Sequence, residues 1–218
     1  MPTTLYLRDL TATDPPTAGE KSTALPVGTF KGNSGAGFED LALRTAKGAA
    51  QTSKALSSLS QTAHQDNYIA RFTSPALEAQ TIAANTWTLA VATAEGNANA
   101  NSFTIASIYV WRPSTSAVVG FIYDSDTALG SEWGGTEDGQ VLSPVGVAVV
   151  AVANDVLVLC FWRHASQAMA AVYTQTLYFE GATDVTDTTT TDAASYLQTP
   201  QVLSFVAPSV AAKVLIVD

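Results

Sequence analysis

The sequence predicts an all-β protein: an antiparallel, jelly-roll-like β-sandwich carrying an extended N-terminal arm. Three observations lead there. From Asn67 onward, short runs rich in β-branched and aromatic residues recur at a spacing of roughly 8 to 12 residues, separated by clusters of turn formers. No strand-helix-strand unit of about 30 residues is visible, which sets parallel α/β folds aside. Residues 11 to 37 contain Pro15, Pro16 and Pro26 with five glycines, a composition that punctuates extended or turning chain.

The arm covers residues 1–64. It opens on a short strand-like run, Leu5-Tyr6-Leu7, followed by the Pro/Gly stretch. From Phe38 to Gln65 the residues are mostly Ala, Ser, Thr, Leu and Lys. Leu56 and Leu59 have helical spacing, but Gly48 and the Ser/Thr density reduce the expectation to one short helical turn. A stretch this poor in core residues is expected to be disordered in isolation or ordered by a partner, so removing residues 1–64 should leave the body folded.

The body, residues 65–218, contains nine candidate strands: Tyr68 to Thr73, Thr86 to Thr93, Phe103 to Arg112, Val118 to Tyr123, Val145 to Ala153, Val156 to Arg163, Val172 to Phe179, Gln201 to Val206 and a tail strand Lys213 to Val217. Strict alternation in Thr86 to Val91 places Trp87, Leu89 and Val91 on one face. The runs Val145 to Val150 and Val156 to Trp162 are continuously apolar, as in central strands covered on both faces. Asn154-Asp155 between them reads as a tight turn that closes a hairpin. Residues 124–143 form a long loop with four glycines, and residues 181–195 a second, Thr/Asp-rich loop. Eight antiparallel strands in two sheets is the jelly-roll count.

Of the 218 residues 47% are hydrophobic and only 13% charged, about half the ~25% usual for soluble chains. So few charges suit a protein that works packed against neighbours. The net charge of −9 argues against nucleic acid as a partner, because such binding needs a Lys/Arg stripe to displace counterions. The charge is uneven: residues 1–64 hold six basic and five acidic side chains, residues 65–218 four basic and fourteen acidic ones. No window of 18 uninterrupted apolar residues occurs, so no membrane partner is expected, and the N-terminus lacks the pattern of a secretory signal.

For chemistry the sequence offers little. Cys160 lies in an apolar run and reads as a buried small hydrophobe. His164, four residues on, faces the same side roughly 13 Å away, and there is no Gly-x-Ser-x-Gly elbow. One cysteine and the separated His64 and His164 give no zinc spacing. Asp124-Ser125-Asp126 with Glu132, Glu137 and Asp138, and separately Asp184, Asp187 and Asp192, are oxygen-rich, but EF-hand spacing fails at Ala128. The same carboxylates as a glycosidase pair would have to face each other across a cleft. The expectation is therefore no catalytic residue, no metal and no cofactor. Trp133, in the glycine-rich loop Ser131-Glu132-Trp133-Gly134-Gly135, has two readings: an exposed platform for a sugar ring, with Asp124 and Asp126 completing a ligand site, or a ring folded back to cap the core.

Several stretches carry a likeness. Thr3 to Asp9 ahead of a Gly/Pro arm, Ala70 to Pro75, Thr86 to Leu89, Glu95 to Asn101, Tyr109 to Pro113 and Asn154 to Leu159 together resemble a loose group of jelly-roll virion proteins of tailed bacteriophages. The resemblance lies in strand phrasing over most of the chain and transfers no catalytic residue. It implies a non-enzymatic structural subunit located in the virion, most readily a capsid decoration or cement protein. Its implied partners are other copies of itself, in a closed oligomer such as a trimer, and the major capsid protein or tail proteins. A tail, baseplate or fibre component with a carbohydrate-binding jelly roll for host attachment is the alternative.

Overall fold

β-Branched and aromatic side chains fit a pleated, half-buried surface best, and the longest strands are where this chain concentrates them: β4 (Gln65–Ala76), β7 (Ser102–Arg112) and β11 (Val156–Ala165). The computed structural model describes residues 1–13, 15–16, 40–57, 65–124, 127–165, 171–188 and 191–207, and through them the chain is all-β. The only helical elements among the described residues are two single 3-10 turns, Ala98–Ala100 and Pro113–Thr115.

Eleven strands form one hydrogen-bonded sheet. Its order is β3 (Thr52–Ser57), β12 (Thr174–Phe179), β6 (Thr88–Glu95), β15 (Tyr196–Gln198), β1 (Thr4–Thr11), β2 (Asp40–Arg44), β4, β11, β7 and β8 (Ala117–Asp124). β12 and β15 lie end to end along one edge of β6, and β9 (Asp138–Leu142) takes its other edge. All these pairings are antiparallel except β2 with β4, which is parallel. Two small ribbons complete the set: β10 (Val149–Ala151) with β5 (Gln80–Ile82), and β13 (Thr183–Asp184) with β14 (Ala193–Ala194).

The sheet folds over to enclose a single main core. β12 shares its place in the sheet with β15, so β1 and β2 lie between it and β4, about 14 Å in a flat sheet, yet the rings of Phe72 on β4 and Phe179 on β12 meet edge to face at 5.5 Å. An extended segment sews the fold shut. The Trp87 N–H donates to the Pro144 carbonyl (2.9 Å) and the Gly146 N–H to that of Asn85 (2.8 Å), while the Val147 N–H donates to Ile122 on β8 (2.7 Å). Gly146 is required here, because a Cβ would collide with the Trp87 indole and with Ile122.

β11 is buried on both faces, as expected of a central strand. Leu157, Leu159 and Phe161 enter the main core, and Val156, Val158, Cys160 and Trp162 pack with Tyr68, Ile105, Tyr109 and Trp111 on the other face. Trp87, Leu89 and Val91 share the core face, as the alternation predicts.

Four expectations need correction. The boundary at residue 64 is not where the sheet begins: β1, β2 and β3 belong to it, and Leu5, Leu7 and Leu43 are completely buried. Only two-leucine alternations, Leu5/Leu7 and Leu41/Leu43, mark β1 and β2 in the sequence. They are ordered by distant partners, β15 and β4. Residues 17–39 and 58–64, the remainder of the expected arm, lie outside the described residues. The hairpin between the runs at 145 and 156 does not form. The turn is there, with Asn154 at φ 72° and the Asp155 N–H on the Val152 carbonyl (3.1 Å), but β10 pairs with β5 and β11 with β4 and β7. Residues 201–206 make a single bridge, Phe205 to Leu77, rather than a strand. Finally, the all-β sandwich is the fold observed, but among the described residues its main sheet holds eleven strands rather than eight strands in two sheets; the tail strand at 213–217 lies outside the described residues.

Candidate functional site

The inward rows of five strands change character toward one end of the sandwich. On β6 the row runs Leu89, Val91, Thr93, Glu95; on β11 Leu157, Leu159, Phe161, Arg163; on β7 Val110, Ile108, Ala106, Thr104, Ser102; on β12 Phe179, Leu177, Gln175; on β9 Leu142, Gln140. Register brings the polar ends together, with Gln175 opposite Glu95 and Arg163 opposite Thr104. The result is a polar layer inside the fold in which Thr93, Thr104, Ser102, Arg163 and Gln175 are completely buried and Glu95 nearly so.

Its hydrogen bonds are partly closed. A Glu95 carboxylate oxygen accepts from the Ser102 N–H (3.0 Å); Arg163 Nε donates to Ser102 Oγ (3.2 Å) and its Nη2 to the Ala100 carbonyl (3.3 Å). Among the described residues, both amide atoms of Gln175, the Thr93 hydroxyl and Gln140 Oε1 have no hydrogen-bond partner. A buried polar atom left without one costs on the order of 1–3 kcal/mol.

Burial holds the Glu95 carboxyl above the ordinary range, with Glu132 adding to the effect; the Ser102 N–H and the Arg163 charge oppose it. A raised folded pKa means the folded state binds the proton more tightly. Glu95's contribution to stability is therefore fully present below its unfolded value of 4.5 and is lost as pH rises through its folded value. Glu95→Gln keeps the shape and cannot ionise, so its melting temperature should fall less steeply above pH 4.5 than that of the wild type. Parallel curves for the two proteins would refute this.

Trp133 caps this layer. Its N–H donates to the Ser102 carbonyl (2.8 Å), its indole Nε1 to Thr104 Oγ1 (3.1 Å), and its ring stacks on Phe161 at 6.1 Å and 20°. Gln140 Nε2 holds the loop by the Ser131 carbonyl (3.2 Å). At 2% exposure Trp133 is no platform for a sugar, and the folded-back reading is the one realised. Asp124 does not join it. Its carboxylate accepts from Ser107 Oγ (2.7 Å), and Ser107 alternates to the opposite face of β7 from Thr104, so sheet β7 separates the two. Asp126 lies outside the described residues.

His64 lies outside the described residues, and Cys160, Asp184, Asp187, Asp192 and Glu137 are held in scaffold contacts. Cys160 is buried, its thiol pushed up to about 12 chiefly by burial, with Sγ 3.8 Å from the Tyr109 hydroxyl. Such a thiol has almost no thiolate and is no nucleophile at neutral pH. Asp187 accepts from the Val141 N–H (2.9 Å), Asp192 from the Ala182 N–H (3.2 Å), Asp184 pairs with Lys47 (2.9 Å), and Glu137 accepts from Gln51 (2.8 Å). Among the described residues no three His, Cys, Asp or Glu side chains converge to hold a metal ion.

The arginines act as fasteners. Arg71, 3% exposed on β4, donates to Asp40 at the start of β2 (2.6 Å) and to the Pro16 carbonyl (2.7 Å). Arg112 grips Asp155 with two bonds (2.8 and 2.9 Å), and Asp155 also accepts from the Val152 N–H (2.9 Å), tying the end of β7 to the turn before β11. Arg8 reaches Glu180 (2.9 Å) and the carbonyls of Ala46 and Lys47. No residue of the polar layer was singled out from sequence as a site. The available signal was the repeated ending of an apolar alternation in a polar residue, on strands whose mutual register the sequence does not state. No family model matches the chain, and no curated protein matches it.

Proposed function

We propose that this chain is a non-enzymatic structural subunit that works by packing against neighbouring subunits, and specifically a virion protein of a tailed bacteriophage, first as a capsid decoration or cement protein. The observation that carries this is the use made of ionisable side chains. Arg8, Arg71, Arg112, Arg163, Asp40, Asp155 and Glu180 fasten strands and turns to one another instead of converging on an open face. A low-charge all-β body with these seven charges engaged internally is built to hold shape and present area, which is what an assembly subunit needs. The strand-phrase resemblance to phage virion proteins points the same way and supplies the particle as the setting.

The test is the copy number of the chain per purified particle, by quantitative mass spectrometry against the major shell protein. On the order of hundreds of copies is the result expected of a capsid-coating role, since shell symmetry multiplies each position. A handful matching a tail ring would move the chain to the tail, and absence from purified particles would overturn the virion reading.

A further inference from the structure

The outward side of residues 145–152 is a band of valine. Pro144, Gly146, Val149 and Ala151 turn inward, while Val145, Val147, Val150 and Val152 are 44% to 69% exposed. Four neighbouring valines this exposed form an apolar patch, and the largest such patch on a monomer is often functional. No charged residue occurs from 139 to 154 or from 79 to 94. Thr81, in register with Val150, and Thr86, bridged to Val145, are exposed and uncharged, as are Ala148 and Ala153.

We propose that this band is the surface through which the chain binds a second copy of itself. The inference deepens the assembly reading above and rests on it. Charge selects the occupant: each copy carries −9, so two copies meet with least repulsion where neither presents a charge, and a two-fold axis lays the band against itself, valine on valine. A cationic partner would be drawn to the acidic loops instead. A membrane surface would call for Lys, Arg, Trp or Tyr at the contact, and residues 139–154 contain none.

The mode of contact also follows. The backbone here is bonded within the chain at Gly146 to Asn85, at Val147 to Ile122, and along one edge of β10 to β5. In the proposed contact the exposed valines meet a partner through their side chains. Valine suits this, because its branched Cβ leaves little rotamer freedom to lose on burial. The four valines form the centre of the contact, and the Thr and Ala neighbours form its rim.

Sedimentation velocity on the full-length chain, over a wide micromolar range, tests this with wild type and the triple variant Val145→Ser, Val147→Ser, Val150→Ser. All three positions are exposed, so the variant should keep its circular dichroism and melting. Wild type is expected to self-associate, more strongly at higher salt as like-charge repulsion is screened, and the variant to do so at least about 100-fold more weakly. If the variant does not fold, the salt dependence decides: association of wild type that weakens with salt overturns an apolar contact. A wild type that stays monomeric, or a folded variant that associates as wild type does, also overturns the proposal. The last result would leave the assembly reading standing through another face, whereas that reading itself falls only on the particle count.

Discussion

A chain lacking residues 1–64 loses cooperative folding altogether. The deletion removes β1 from between β15 and β2, β2 from between β1 and β4, and β3 from the edge of β12, leaving a gap in the middle of the sheet. It also removes Leu5, Leu7, Leu41 and Leu43 from the main core. Burying a leucine contributes roughly 1.5–3 kcal/mol, so these four alone approach the whole 5–15 kcal/mol stability of an ordinary domain. Circular dichroism and a thermal melt of the truncated chain decide the matter. A sigmoidal transition near that of the full chain would show the first three strands to be dispensable.

Trp133→Ala should destabilise the fold by about 3–5 kcal/mol, the usual cost of emptying a large aromatic site in a core. The substitution leaves a cavity against Phe161 and strips the Thr104 hydroxyl of its donor at the mouth of the polar layer. Trp133→Phe keeps most of the ring and loses the indole hydrogen bond, so it should cost about 1 kcal/mol. Urea midpoints at constant slope measure both. A Trp133→Ala protein as stable as wild type would mean that the ring does not seal the core and would restore it as a surface residue.

The sequence made the body legible wherever a strand carried enough apolar alternation to announce itself. Phe103 to Arg112 and Val156 to Arg163 fall on strands, Thr86 to Thr93 does so from Thr88 onward, and the Asn154 turn adopts the left-handed backbone its side chain tolerates. What stayed illegible was decided by pairing at long range. β1 and β2 each show only two inward leucines, and nothing within residues 1–64 records that β15 and β4 will receive them. The hairpin failed for the same reason: a turn fixes where the chain reverses, not which edge the following strand prefers, and β11 has β4 and β7 as partners. At Trp133 the loop sequence is compatible with either an exposed or a capping ring. Thr104 and the Ser102 carbonyl, some thirty residues earlier in the chain, make the choice. Glu95, Arg163 and Gln175 were invisible as a group because they meet only through the register of separate strands.

The pairing of β1 with β15, Thr4 opposite Gln198, sets a timetable for biosynthesis. β1 leaves the ribosome long before β15, yet one of its edges waits for that strand. Until then Leu5 and Leu7 flank an open strand edge on a nascent polypeptide, the kind of surface that chaperones and aggregates both recognise. Closure is thus a late event, slowed by the search for a partner nearly two hundred residues away.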